Sequence, residues 1–257
     1  MAGHNITITL ACGTVQSLSP TKGIEIPSID EVVAISVPKK CKAIVVVEKD
    51  TIFNKLCRER VATTELLAGE LLLLTVTFPF SILGKGYGDL RVRNFIALLV
   101  KLRRIPVYLM VDGDPDGADI GRLYKESLMA AIPEGFDIRL IGLLPSDLKM
   151  YRTSQKHIHP LTPRERKKCQ DMLARTFNPF PPEWRYILED YLKNGVTAGL
   201  NAVQHMKTRY FVPTFMLNLQ LLKTQPRIID EWLRVEEHSP TAAYLITKLS
   251  KLLPLSP

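Results

Sequence analysis

A chain of 257 residues with 46% hydrophobic content can bury a substantial core, which excludes a disordered tract and leaves one large domain, or one domain with an annex. The formal charge of +8 favours a polyanionic partner or surface. Four cysteines, at 12, 41, 57 and 169, include no CxxC pair, which argues against structural zinc and fits thiols in a reducing compartment.

In chain order, "MAGHNITITLACG" lacks the basic and apolar regions of a secretory signal, and residues 1–38 read as short lead-in strands and turns. "KAIVVVE" (42–48) is a continuous β-branched run, as expected of a strand buried on both faces. In "KDTIFNKLCRER", Ile52, Phe53 and Leu56 fall at helical spacing. The apolar window 66–83 is broken by Glu70 and Pro79, so a strand or short buried helix fits better than a membrane span. "SILGKGYGDL" forces a turn, and Asp89 can cap a following helix whose face is Val92, Phe95, Ile96, Leu99 and Leu102. "IPVYLMVD" is the next strand, "GADIGRLYKESLMAA" the next helix and "FDIRLIGL" another strand. This alternation predicts an α/β fold with a mostly parallel sheet flanked by helices.

Past Leu144 two segments, "TPRERKKCQDMLART" and "PPEWRYILEDYLKNG", open with proline and carry helical periodicity, and no further strand is clear. The expected division is lead-in 1–38, core 39–148, helical annex 149–213 and a helical extension 214–257 of unassigned role.

Chemistry concentrates at the strand ends. "PVYLMVDGDPDGADI" crowds Asp112, Asp114, Asp116 and Asp119 after an apolar run, and in a parallel sheet ligands bind beyond the carboxyl ends of strands, where Glu48 also falls. Several carboxylates brought close require a cation or shared protons. A glutamate with an Asp-x-Asp pair suits magnesium, which takes oxygen ligands and keeps several waters. Ordinary turn chemistry and N-capping account for either acidic segment alone. A calcium loop of the D-x-D-x-D-G type would need a glutamate where Leu123 stands. A phosphotransferase with Asp112 as nucleophile would leave Glu48 unexplained.

The ordered set "VVVEKDTIF", "GKGYGDLRVR", "VYLMVDGDPDGADIGRLYK" and "IGLLPSDL" resembles the Toprim domain shared by the A chain of topoisomerase VI and its meiotic relative that makes the double-strand breaks initiating recombination. The resemblance runs from about residue 3 to residue 213, is strongest over 42–148, and lies nearer the eukaryotic meiotic branch. It implies a Toprim-type fold, Mg2+ held by Glu48, Asp112 and Asp114, duplex DNA as substrate, a two-fold homodimer, a nuclear, chromosomal location and a B-type ATPase-like partner. Glu48 is also the candidate acid/base. Lys85, Gly86, Tyr87, Asp89 and Arg93 fall on the glycine-turn motif, with Gly88 where the family has proline, and Asp116 stands where an aromatic is usual. The family's Lys-Ala-Glu segment corresponds poorly to "GVTAGL" (195–200). The family cleaves DNA with a tyrosine on an upstream winged helix, and "MAGHNITIT" resembles the segment that follows it. The winged helix and its tyrosine are therefore expected to be absent, and none of the chain's eight tyrosines sits in a substitute motif.

Residues 149–175 hold eight basic side chains against two acidic ones. Lys149, Arg152, Arg164, Arg166, Lys167 and Lys168 are candidate phosphate contacts; Arg91, Arg93, Arg103 and Arg104 form a second cluster after the glycine turn, with Arg93 and Lys85 favoured for DNA contact, and the competing reading of the charge run is a solvated helix face. His157 and His159 read as surface residues. Three functions stay open: the metal half of a tyrosine transesterase, a non-catalytic DNA-binding or regulatory paralogue, and a Toprim nuclease in which metal-activated water attacks.

Overall fold

The computed structural model describes residues 1–63, 70–75, 90–132, 135–136, 138–175, 182–206, 239–250 and 252. The lead-in forms an antiparallel sheet of β1 (Thr7–Leu10), β2 (Val15–Ser17) and β3 (Val32–Ser36), in the order β2-β1-β3. The main sheet is parallel, with β4 (Cys41–Val47), β5 (Glu70–Thr75), β6 (Val107–Met110) and β7 (Ile138–Gly142) in the order β5-β4-β6-β7. The expected alternation of strand and helix is realised. The helices are α1 (Asp50–Arg58), α2 (Leu90–Arg103) and α3 (Pro115–Ala131), then α4 (Pro145–Met150), α5 (Pro163–Ala174), α6 (Pro182–Asn194) and α7 (Pro240–Ser250).

Strand side chains alternate between faces, and here both faces are dry. Cys41, Ile44 and Val46 of β4 with Val107 and Leu109 of β6 join one apolar cluster, completed by α2, α3, α5, α6 and the lead-in residues Ile6 and Ile8. Ala43, Val45 and Val47 with Tyr108 and Met110 face a second cluster, completed by α1, α4, residues 198–206 and α7. Burial on both faces explains why "KAIVVV" lacks a polar alternation.

Three sequence expectations need adjustment. Leu102 is exposed, because it sits off the stripe defined by Val92, Ile96 and Leu99, and Val100 is buried instead. The annex does contain strands: β8 (His159–Pro160) pairs antiparallel with β9 (Val196–Thr197). Such two-residue strands carry no periodicity to read. Finally, α7 is an integral cover of the second core, with Ala242, Ala243, Tyr244, Leu245, Ile246 and Leu249 all buried. Asp147 fastens it. This carboxylate accepts bonds from the Tyr244 hydroxyl at 2.6 Å and from Lys248 Nζ at 2.6 Å, while capping α4 through the Leu144 N–H at 3.0 Å.

Among the described residues, no helix is long and apolar enough to cross a membrane. The four cysteines are free, and Cys41, Cys57 and Cys169 are buried. The glycine-turn segment with Lys85, Gly86, Tyr87, Gly88 and Asp89 lies outside the described residues.

Candidate metal and phosphate site

The parallel register of β4 and β6 sets Val47 opposite Met110, so the next residues of both strands emerge at one level. The Glu48 N–H donates to the Met110 carbonyl at 2.9 Å, and in return the Asp112 N–H donates to Glu48 Oε2 at 2.6 Å. Two carboxylate-bearing strand ends, 64 residues apart in sequence, are joined directly. The acidic stretch after β6 divides into two pairs. Asp112 and Asp114 belong to the crevice, whereas Asp116 and Asp119 do not. Lys168 Nζ lies 2.6 Å from Asp116 Oδ1 and 3.1 Å from Asp119 Oδ2, and Arg122 Nε lies 2.7 Å from Asp119 Oδ1.

Asp114 is the N-cap of α3, its Oδ1 accepting the Gly117 N–H at 2.8 Å, with Pro115 in the first turn. That arrangement excludes the calcium-loop alternative, because a strand precedes it and the chain is already helical from Pro115, where such a loop would still have to wrap the ion. It also shows why the loop is glycine-rich. A Cβ on Gly113 would lie 2.9 Å from the Ala198 carbonyl and 3.0 Å from that of Leu143, and one on Gly117 would collide with the Asp112 carbonyl oxygen.

The third wall comes from residues 198–200, within the "GVTAGL" segment. Gly113 and Ala198 form an antiparallel bridge with N–H···O distances of 2.8 and 3.0 Å, and the Leu200 N–H donates to Asp112 Oδ1 at 2.6 Å. Lys49 Nζ reaches the same oxygen at 2.9 Å. Lys49 and the peptide of Leu200 are site components that sequence reasoning missed. Their signals were faint: a lysine beside the strand-end glutamate, and the glycines of "GVTAGL".

Electrostatically the crevice is under-compensated. Burial, reinforced by the charge of Asp112, pushes the Glu48 carboxyl up to about 7. Burial likewise pushes Asp114 up to about 6 against the pull of the Gly117 N–H, and Asp112, Asp116 and Glu165 add repulsion. Among the described residues no three His, Cys, Asp or Glu side chains close into a metal-holding group. One oxygen each of Glu48, Asp112 and Asp114 is committed to a peptide N–H. What the donor set offers is all-oxygen, anionic and partly buried, with Glu48 and Asp112 adjoining. Those properties fit magnesium, which requires only one or two carboxylates.

The basic candidates separate by placement. Lys149, Arg152, Arg164 and Lys167 are exposed. Arg166, on α5, donates to the Leu192 carbonyl at 3.4 Å, and Lys168 is held against α3 by Asp116 and Asp119. Arg91 pairs with Glu25 at 3.4 Å, and Arg93 donates to Ser127 Oγ. His157 stacks on His205, centroids 3.8 Å apart, and His159 is exposed. Tyr108, Tyr124, Tyr151, Tyr191 and Tyr244 are buried, and Tyr186 on α6 is exposed. Tyr191 donates to the Leu143 carbonyl at 3.4 Å, and Tyr244 is bonded to Asp147.

With this geometry in view, the relatives are decisive. The family model for the Toprim domain of the Topoisomerase 6 A chain and Spo11 matches residues 43–219. The chain belongs to this family. It is 31% identical to the rice protein named meiotic recombination protein SPO11-1 over 70% of this chain and 44% of the relative. The human protein of the SPO11 name is 30% identical over 69% and 43%. The A chain of DNA topoisomerase 6 from Arabidopsis thaliana is 28% identical over 69% and 40%. The chain therefore spans less than half the length of these curated relatives. The α/β architecture is that expected of a Toprim-family chain.

Proposed function

We propose that this chain is a magnesium-dependent, DNA-binding Toprim module that supplies the metal half of a tyrosine transesterification on duplex DNA. The observation carrying the reading is the 2.6 Å bond from the Asp112 N–H to Glu48 Oε2, which places acids from two strand ends in one crevice beside Asp114. Glu48, Asp112 and Asp114 would hold the cation, which when bound stabilises charge on a phosphodiester and orients it. The chain's own residues do the rest. Leu200 N–H fixes the Asp112 carboxylate, joined in the metal-free chain by Lys49, and Asp114 fixes the start of α3. The exposed Arg164 and Lys167 on α5, with Lys149 and Arg152, offer the backbone-tracking charge. The charge of Glu165 on α5 adds to the repulsion on Asp114. Lys85, Arg91, Arg93, Arg166 and Lys168 complete the proposed basic set, the last as a support for α3. Glu48, held up at about 7, can also exchange a proton near neutral pH.

On this reading the attacking tyrosine is supplied from outside the described residues, and the working unit is a two-fold dimer on DNA in the nucleus, assisted by a B-type ATPase-like partner. Binding of a labelled duplex to the purified chain tests it. Affinity should rise with Mg2+, fall steeply with salt, and lose its Mg2+ response in Asp112→Asn. Duplex binding indifferent to Mg2+ would overturn the metal-dependent reading in favour of a non-catalytic DNA binder. Nicking of supercoiled DNA by the chain alone, lost in Glu48→Gln, would replace it with hydrolysis.

A further inference from the structure

Lys49 is the strand-end residue after Glu48, and its ammonium sits on one oxygen of the Asp112 carboxylate. Nζ lies 2.9 Å from Asp112 Oδ1, both side chains partly exposed at 31% and 20%. The position is constructed. Lys49 is the extended N-cap residue of α1 and contributes no side-chain cap bond there, so α1 does not require the lysine. Across the crevice, Gly199 leaves the ammonium its space: a Cβ at Gly199 would lie 3.1 Å from Nζ and 3.9 Å from Asp112 Oδ1. The peptide after that glycine supplies the second donor to the same oxygen.

We propose that Lys49 is the resident counter-ion of Asp112, and that a divalent cation enters the crevice by displacing it, freeing the ammonium to take a DNA phosphate oxygen. The inference rests on the proposed metal site. Its physical basis is charge balance. Three carboxylates in a half-buried crevice need positive compensation, and before a metal arrives Lys49 is a partner whose long stem can leave without unfolding α1. A lysine is suited to this exchange because it is a compact point charge with three rotatable donors, equally at home on carboxylate or phosphate. Lys49 thus acts as a positioning and exchange residue that couples metal occupancy to phosphate capture.

The test measures binding by the purified chain directly. Mn2+ is titrated by electron paramagnetic resonance, and labelled duplex DNA is titrated with and without Mg2+, for wild type, Lys49→Met, Lys49→Arg and Asp112→Asn. Removing the competing ammonium should tighten Mn2+ binding about fivefold in Lys49→Met, the scale of a partly exposed ion pair, while abolishing the Mg2+-induced gain in DNA affinity. Lys49→Arg, which keeps the charge, should restore both. If wild type binds Mn2+ and loses it in Asp112→Asn, but Lys49→Met leaves metal affinity unchanged or weakened, the role of Lys49 is overturned and the metal site stands. If wild type binds no Mn2+, the metal-site reading itself falls.

Discussion

At the scale of single residues, the unusual quantity is the protonation of Glu48. Its carboxyl is moved from the ordinary 4.5 to about 7, first by burial and then by the nearby Asp112 charge. The folded protein therefore holds this proton at pH values where the unfolded chain has released it. Stability contributed by the neutral form is fully present below 4.5 and is lost as pH rises through about 7, after which it levels off. Glu48→Gln stays neutral and keeps an acceptor for the Asp112 N–H. In metal-free urea titrations the variant should match wild type at about pH 4.5 and exceed it by about 1–2 kcal/mol at about pH 8. A difference that does not change with pH would show that Glu48 is an ordinary carboxylate. Cation binding runs the other way, since ligands must be deprotonated, so Mn2+ affinity of wild type should climb between about pH 6 and 8.

At the scale of elements, the junction of α3 and α5 decides how rigidly Asp114 is held. Asp119 is almost fully buried, and Lys168 and Arg122 compensate it from two sides. Lys168→Met should cost about 1–2 kcal/mol and accelerate amide exchange across 163–174 while leaving α1 protected. Uniform acceleration in both helices would mean that the pair only adds global stability. Gly117→Ala places a methyl against the Asp112 carbonyl and should destabilise by about 2 kcal/mol, with loss of Mn2+ binding. These elements also mark what could be read in advance. The strands β4, β6 and β7, the helices α1 and α3, and the approach of Glu48 to Asp112 were legible because buried parallel strands and helix stripes leave local patterns, and because strand ends point to one side of a sheet. The destination of Lys168 was not, since its sequence neighbours Arg166 and Lys167 look the same in composition and only packing tells the faces apart. The bridge between Gly113 and Ala198 was hidden for another reason: two residues paired across a long stretch of chain have no period.

At the scale of the whole molecule, both faces of the parallel sheet depend on chain beyond the core. The second core is closed by α7, and Asp147 is the fastening, nearly buried and shared by Tyr244, Lys248 and the Leu144 N–H. Lys248→Met leaves that carboxylate short of its cation and should cost about 3 kcal/mol in urea unfolding. Adding Asp147→Asn should recover part of the loss, and strict additivity of the two changes would argue that the residues act independently. The peptide of Leu200 reaches back 88 residues to Asp112, which ties the acids to the timetable of synthesis. An emerging polypeptide can lay down β4, β6 and β7 and still lack the clamp on its central aspartate. That second donor to Asp112 Oδ1 arrives only when the ribosome has released the stretch around Gly199, so a nascent chain that stalls earlier holds the aspartate by Lys49 alone.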